Sequence, residues 1–268
     1  MESNRQMNDW IVRYGFLLKK RSSDKQKDKF IQTFLSDVLN IRDDFNVIEI
    51  EEKKRKYHNI YIGDVSKADK IITTYFDTPI VSFGDYSFMD TEKNKRNTLT
   101  RILFESIASL CIGLIIFFFL MRVFEGTLLT TVLTVFALAF FYIFNGIVKG
   151  RASSKTQVRN TSSLVIVLSL LAKYKGNKKV AFAIVDGGCT NEIGLVALKN
   201  SVKPQSRIYE LDSVGANTAL IVTEASDQKS LKIHPNLECL GNAMLLEKID
   251  DVLLTRQRQK IETILEER

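Results

Sequence analysis

The sequence predicts an α/β protein: a three-layer sandwich with a mixed sheet, interrupted by a two-helix transmembrane hairpin. Three observations predict it. Short β-branched runs alternate with stretches whose apolar residues recur every three or four positions, the periods of strand and helix. The 46 residues from Leu103 to Val148 carry three charged side chains, Glu105, Arg122 and Glu125. Outside that block about 30% of residues are charged, above the ~25% of an average globular chain. The mean hydropathy of -0.02 thus averages a water-soluble part and a lipid-soluble part. An apolar content of 45% excludes a disordered chain. Three cysteines in 268 residues exclude a disulfide scaffold, and three prolines argue against long Pro-rich linkers.

The chain opens with charged residues and no apolar run of the signal-peptide kind. Trp10, Ile11, Tyr14, Phe16, Leu17 and Leu18 form a first helical pattern. A charged break, Lys19 to Lys29, separates it from a second, with Phe30, Phe34, Leu35, Val38 and Leu39 at helical spacing. Three strands follow, at Asn46–Glu51, His58–Gly63 and Lys70–Asp77. In the first, Ile48 and Ile50 oppose Val47, Glu49 and Glu51, the alternation of a half-buried strand near a sheet edge. The basic stretch Lys53–Lys56 reads as a solvated turn. KIITTYFD, the third strand, is more apolar and ends on a carboxylate.

Phe104–Val123 and Thr127–Val148 are each about 20 residues long, the length a helix needs to cross ~30 Å of hydrocarbon. Phe124-Glu125-Gly126 is a link short enough for a tight hairpin. Glu105 and Arg122 sit near the ends of the first span, where long side chains reach the headgroups. Lys93, Lys95, Arg96 and Arg101 precede the pair; Lys149, Arg151, Lys155 and Arg159 follow it. The positive-inside rule places both outer ends in the cytoplasm, at the plasma membrane. There Cys189 and Cys239 are reduced thiols, and Cys111 lies within lipid. The net charge of +7 suits an anionic lipid surface. Nucleic acid is excluded as a partner, because the basic residues interleave with acidic ones and no basic-aromatic motif is present. Ser109 and Gly113 are a single small-xxx-small pair, so the oligomeric state stays open.

After the hairpin, Asn160 or Thr161 can cap a helix whose Leu164, Val167, Leu168 and Leu171 share a face. Lys179–Val185 is a buried strand, broken by Gly187-Gly188. Glu192–Lys199 is a short helix, Arg207–Asp212 and Ala219–Glu224 are strands, and Ala243–Arg268 is a closing helix. Neither half makes a sheet alone. The expected organisation is one discontinuous cytoplasmic domain, residues 1–102 and 149–268, around a hairpin at 103–148. Cys189 after the glycines is a candidate nucleophile without a positioned His, and the glycines lack a phosphate-loop Lys.

The order of elements resembles the di-zinc aminopeptidase-like exopeptidases, metallopeptidase family 28, and so implies a zinc-exopeptidase type of sandwich. In that family a strand ends in His-x-Asp, an Asp-Asn-x-Ser-Gly segment starts a helix, an apolar strand leads to Glu-Glu-x-Gly-Leu, and a later strand ends in Leu-Asp. The matching pieces are Tyr75-Phe76-Asp77-Thr78, Arg159-Asn160-Thr161-Ser162-Ser163, Asn191-Glu192-Ile193-Gly194-Leu195 and Glu210-Leu211-Asp212. Residues 247–254, EKIDDVLL, resemble the family's closing helix. The resemblance implies a site of Tyr75, Asp77, Arg159, Asn191, Glu192 and Asp212. Arg159 stands where the carboxylate bridging the two metals is needed, and a guanidinium repels both. Tyr75 replaces a histidine ligand. Asn191 replaces the general base and cannot take a proton from water. Glu192 and Asp212 match ligand slots, and Asp77 matches the residue that orients the lost histidine.

These departures point to a vestigial site with no catalytic residue and no cofactor, in which Arg159 pairs with Asp212 or Glu192 in place of the metals. The protein is then a membrane-anchored, inactive exopeptidase-like module for peptide binding or protein assembly, with a partner such as a membrane transporter subunit. The alternative is a divergent metallo-aminopeptidase cutting a membrane-proximal peptide, with zinc on Asp77, Glu192, Asp212 and His234.

Overall fold

The structure, a computed structural model, describes residues 2–53, 55–84, 87, 90–153, 156–224, 229–236 and 249–267. Lys54, Lys155, Cys239 and the expected start of the closing helix, 243–248, lie outside the described residues. The chain divides into two compact units, Met1–Pro79 with Ser153–Arg268, and Ile80–Ala152.

The first unit is built on a seven-stranded mixed sheet. Its strands are β1 (Phe45–Glu52), β2 (Arg55–Ile62), β3 (Lys70–Tyr75), β4 (Val180–Val185), β5 (Arg207–Leu211), β6 (Leu220–Glu224) and β7 (Ser230–Pro235). They lie in the order β1-β2-β4-β3-β5-β7-β6. β4, β3, β5 and β7 run parallel, and antiparallel strands flank them on both sides. This arrangement explains the composition of each strand. β4, VAFAIV, is buried along its whole length because both of its faces are covered. β1 lies at an edge and alternates between half-buried and exposed positions.

One face of the sheet carries α1 (Glu2–Val12), α2 (Asp24–Leu39), α5 (Ser162–Lys173) and α7 (Asp251–Glu267). α5 packs on β3, α1 and α7, and every side chain from Ser162 to Leu171 is buried. A helix apolar on all sides is what such a central position requires. Tyr14, Phe30, Phe34 and Phe76 fill the space under α2; Phe30 stacks on Phe76 with ring centroids 4.9 Å apart. The other face carries α6 (Ile193–Ser201), whose Leu195 and Leu198 pack with Tyr61, Ala181 and Ala183. Helices on both sides of a mixed sheet make three layers.

Three local expectations are corrected. The charged stretch Lys19–Lys29 is not all break, since α2 starts at Asp24 behind a Ser23/Gln26 capping box. Asn160 and Thr161 do not cap α5 through their side chains. The helix runs in from a π-helical turn, Gln157–Thr161, and both residues are buried. A matching π-turn, Arg13–Leu17, continues α1. The closing helix begins at Asp251, within the expected span but not at the first described residue, Ile249.

The second unit is a helical hairpin. α3 (Thr91–Val123) is capped by the Asp90 carboxylate, which accepts from the Lys93 amide at 2.8 Å. α4 (Gly126–Val148) follows after Phe124-Glu125. Both helices are long and apolar enough to cross a membrane. α3, at 33 residues, is about 50 Å long and exceeds the hydrocarbon thickness. Its surplus is the polar first third, with Lys93, Lys95 and Arg96, and with Arg101 donating to Glu105 at 2.8 Å. Gly113 lets the two helices meet: a Cβ there would stand 2.5 Å from the Phe140 ring. The outward side chains, among them Ile115, Phe118, Leu138 and Phe141, are exposed apolar surface.

Candidate functional site

Parallel strands end at one edge of a sheet, and loops beyond their C-terminal ends are where α/β folds gather functional side chains. Here β4, β3, β5 and β7 deliver Asp186 to Cys189, Tyr75 to Thr78, Asp212 with Ser213, and His234. The glycine pair after β4 makes this possible. Gly187 has φ +77°, and Gly188 lies so close to the Tyr75 side chain that any Cβ would overlap it.

Asp212 is the centre of one cluster and is fully buried. Its Oδ1 accepts from the Tyr75 hydroxyl at 2.8 Å and the Ser213 hydroxyl at 2.9 Å. Its Oδ2 lies 3.1 Å from Lys232 Nζ, which is also 3.3 Å from Glu210 Oε1. Burial alone raises the Asp212 carboxyl, but Lys232, Arg159 and the two hydroxyl donors outweigh it and hold the group below the ordinary carboxylate range. Glu192 is half-buried at the start of α6 with φ 57°. Burial, and then the charge of Glu210, push its carboxyl up, while Lys232 opposes them.

Asp77 is the centre of a second cluster. Its Oδ2 accepts from the Cys189 amide at 3.0 Å, and its Oδ1 is a buried acceptor with no hydrogen-bond partner among the described residues. The Asp77 carbonyl accepts from Asn160 Nδ2 at 2.9 Å and from the Cys189 thiol at 3.3 Å. Burial, helped by nearby Asp186, pushes the Asp77 carboxyl up to about 6. Asp186 itself holds Lys27 at 2.7 Å. Beneath this cluster lies Arg21, fully buried, its guanidinium donating to the carbonyls of Phe76, Tyr14 and Leu18 at 2.6, 3.0 and 2.7 Å.

The six residues expected at the site therefore fall into related but separate places. Tyr75 and Asp212 touch, and Arg159 acts on the same carboxylate through space. Asp77 belongs to the neighbouring network. Asn191 is turned away, with its Nδ2 donating to Tyr57 Oη at 2.9 Å. His234 is buried, with ring nitrogens 3.0 Å from Thr223 Oγ1 and 3.0 Å from the Pro235 carbonyl. Burial lowers its pKa, so it stays neutral at physiological pH. The Cys189 thiol is pushed up by burial and next by Asp77, the reverse of an activated nucleophile.

Lys232 was not singled out from the sequence. Its strand is short and ends in His-Pro. The signal is nevertheless there: Leu231 and Ile233 alternate with Ser230, Lys232 and His234, and the register sets Lys232 beside Glu210.

A zinc pair asks for anionic and neutral donors at about 2.0–2.2 Å from each ion. The residues present do not fit one. An ammonium and a guanidinium both act on the carboxylate that should ligate, and the Tyr75 hydroxyl donates a hydrogen bond to the other oxygen of that carboxylate. Among the described residues, no three His, Cys, Asp or Glu side chains come together as a metal set.

No protein-family model matches the chain, and no curated protein matches it either. Solved structures do. A glutaminyl cyclase from Porphyromonas gingivalis is 9% identical and superposes with a TM-score of 0.56, covering 96% of each chain. A Zn-dependent exopeptidase from Parabacteroides distasonis is 10% identical with a TM-score of 0.55, covering 98% of this chain and 96% of that one. With its mixed sheet between two helical layers, the chain has the fold of the zinc-dependent exopeptidases.

Proposed function

We propose that this protein is a non-hydrolytic module with an exopeptidase fold, anchored to a membrane by its hairpin, that binds a peptide or protein partner. The observation that carries the reading is the engagement of Asp212. Its oxygens meet Tyr75, Ser213 and Lys232, where a peptidase of this fold needs a carboxylate open to a metal. The loss of a general base at Asn191, whose amide is held by Tyr57, supports the same reading. The ligand class comes from the fold: the Parabacteroides neighbour is an exopeptidase, and a peptide is what such a cleft takes. Membrane anchoring is supported by two apolar helices whose outward side chains are exposed. The basic residues at both outer ends favour the cytoplasmic side of the plasma membrane for both halves. A membrane transporter subunit is one partner of the expected kind.

The test is metal analysis and an aminopeptidase assay on the purified full chain, followed by identification of what co-purifies from native membranes. The expected outcome is substoichiometric zinc, no turnover and a reproducible membrane-protein companion. Stoichiometric zinc with chelator-sensitive turnover that is lost in Asp212→Ala would overturn the reading in favour of a divergent metallo-aminopeptidase.

A further inference from the structure

The geometry points to Lys232 as a built-in stand-in for a metal cation, an ammonium carried on β7 that neutralises Asp212, at a ligand slot of this fold, together with its neighbour Glu210. This rests on the non-hydrolytic reading above and deepens it. Glu210 on β5 and Asp212 just past its end lie two apart, and the Asp212 amide still donates to the Ile233 carbonyl of β7 at 3.0 Å, so both face the same side. Parallel pairing sets Lys232 beside Glu210, on that same face, and its chain reaches on to Asp212. Its Nζ stands 3.3 Å from one carboxylate and 3.1 Å from the other. The side chains are 13%, 14% and 0% exposed for Lys232, Glu210 and Asp212, so water does little to stabilise these charges. Buried carboxylates persist only beside a cation or when protonated.

A zinc peptidase supplies that cation from outside and loses it to a chelator. Here it is covalently part of the chain. Tyr75 completes the arrangement by occupying Asp212 Oδ1 with a neutral donor at 2.8 Å. Arg159 adds a second positive charge acting on Asp212, and Glu192 is a third carboxylate within the field of Lys232. The consequence for function is independence from metal supply: the strand-end surface keeps its shape whatever the zinc level of the compartment.

The experiment is thermal unfolding of the full chain in detergent. It compares the wild type with and without chelator, and the variants Lys232→Met, Asp212→Asn and the double variant. The wild type is expected to melt at the same temperature with chelator. Lys232→Met removes the ammonium in contact with buried Asp212 and Glu210 and is expected to lower Tm by about 5–10 °C. The double variant, which removes charge from both partners, is expected to regain at least half of that loss. Should Lys232→Met not fold at all, recovery of folded protein in the double variant supports the inference, and failure of both overturns it. Additive losses overturn it, as does a Lys232→Met variant as stable as the wild type. A chelator-induced drop in the wild type, without turnover, also overturns it while leaving the non-hydrolytic reading in place; zinc with turnover sinks that reading instead.

Discussion

Asp77 carries the most informative charge in the molecule. Its carboxyl is raised to about 6 by burial and then by Asp186, against the pull of Lys27 and the amides of Cys189 and Gly188. A carboxyl whose folded pKa lies above its unfolded value of 3.8 holds its proton more tightly when folded. Its contribution to stability is present at low pH and is lost as pH rises from about 4 through about 6. Asp77→Asn removes that loss, and the amide oxygen can keep the bond from Cys189. Above pH 6 the variant is expected to be more stable than the wild type, by on the order of 1–3 kcal/mol. Toward pH 4 the two converge. Urea unfolding across that range checks it, and a difference constant with pH would refute the assignment. Asp212 works with the opposite sign: its lowered pKa gives stability that is present at neutral pH and lost only in acid.

Residue identities at this site were legible only where a motif slot existed. Tyr75, Arg159 and Asp212 were read at strand and helix ends, and the structure sets Tyr75 on Asp212, with Arg159 acting on the same carboxylate. Lys232 had no slot in the motif pattern, because a residue that takes over a metal's charge can come from any neighbouring strand. Arg21 was hidden within a charged run, yet it is among the largest side chains buried completely. Nothing local distinguishes a lysine or arginine in solvent from one that ties a π-turn to the end of a strand.

At the scale of elements, periodicity read well wherever one face meets the core. β1 to β5 and the cores of α2 and α5 lie where the alternation and the three-to-four spacing placed them. The misses have physical causes. The first turn of α2 faces solvent, so its charges masked a helix start that the Ser23/Gln26 pair did signal. The π-turns at Arg13–Leu17 and Gln157–Thr161 arise from tertiary packing, and no residue pattern encodes them.

The hairpin offers a test at this scale. Gly113 lies against Phe140, whereas a Cβ at Gly146 would meet nothing within 4 Å. In the sequence Gly113 was one member of a weak pair, read for association between chains; its contact is with the other helix of the same hairpin. Gly113→Leu is expected to splay the helices and lower thermal stability in detergent, with disulfide trapping of cysteine pairs across α3 and α4 reduced several-fold. Gly146→Leu should leave both readouts near wild type. Equal effects of the two substitutions would exclude close packing at Gly113.

At the scale of the whole molecule, the expected organisation placed a hairpin within a domain drawn from both halves of the chain. The structure divides between Pro79 and Ile80, well before the apolar block, and again between Ala152 and Ser153, just after it. Hydropathy marks the apolar length of each helix; it is silent about the polar third of α3 and the segments flanking the pair. Within the α/β unit, the Ser153 amide donates to the Pro79 carbonyl at 2.9 Å. Within the hairpin unit, the Val81 amide donates to the Arg151 carbonyl at 2.9 Å, and Ile80 bridges Ala152.

The hydrogen bond between Pro79 and Ser153 has a consequence for how such a chain is made and remade. Pro79 and Ser153 are hydrogen-bonded neighbours within the α/β unit, so the 73 residues between them add no span that the sheet must stretch to close. Joining Pro79 to Ser153 through two or three glycines is therefore expected to give a water-soluble protein with the seven-stranded sheet intact, checked by circular dichroism and cooperative melting without detergent. An aggregated or unfolded product would show that the two units depend on each other to fold. The same economy works in reverse: an α/β chain of this kind needs an insertion at only one loop to acquire a helical hairpin, with every strand pairing left as it was.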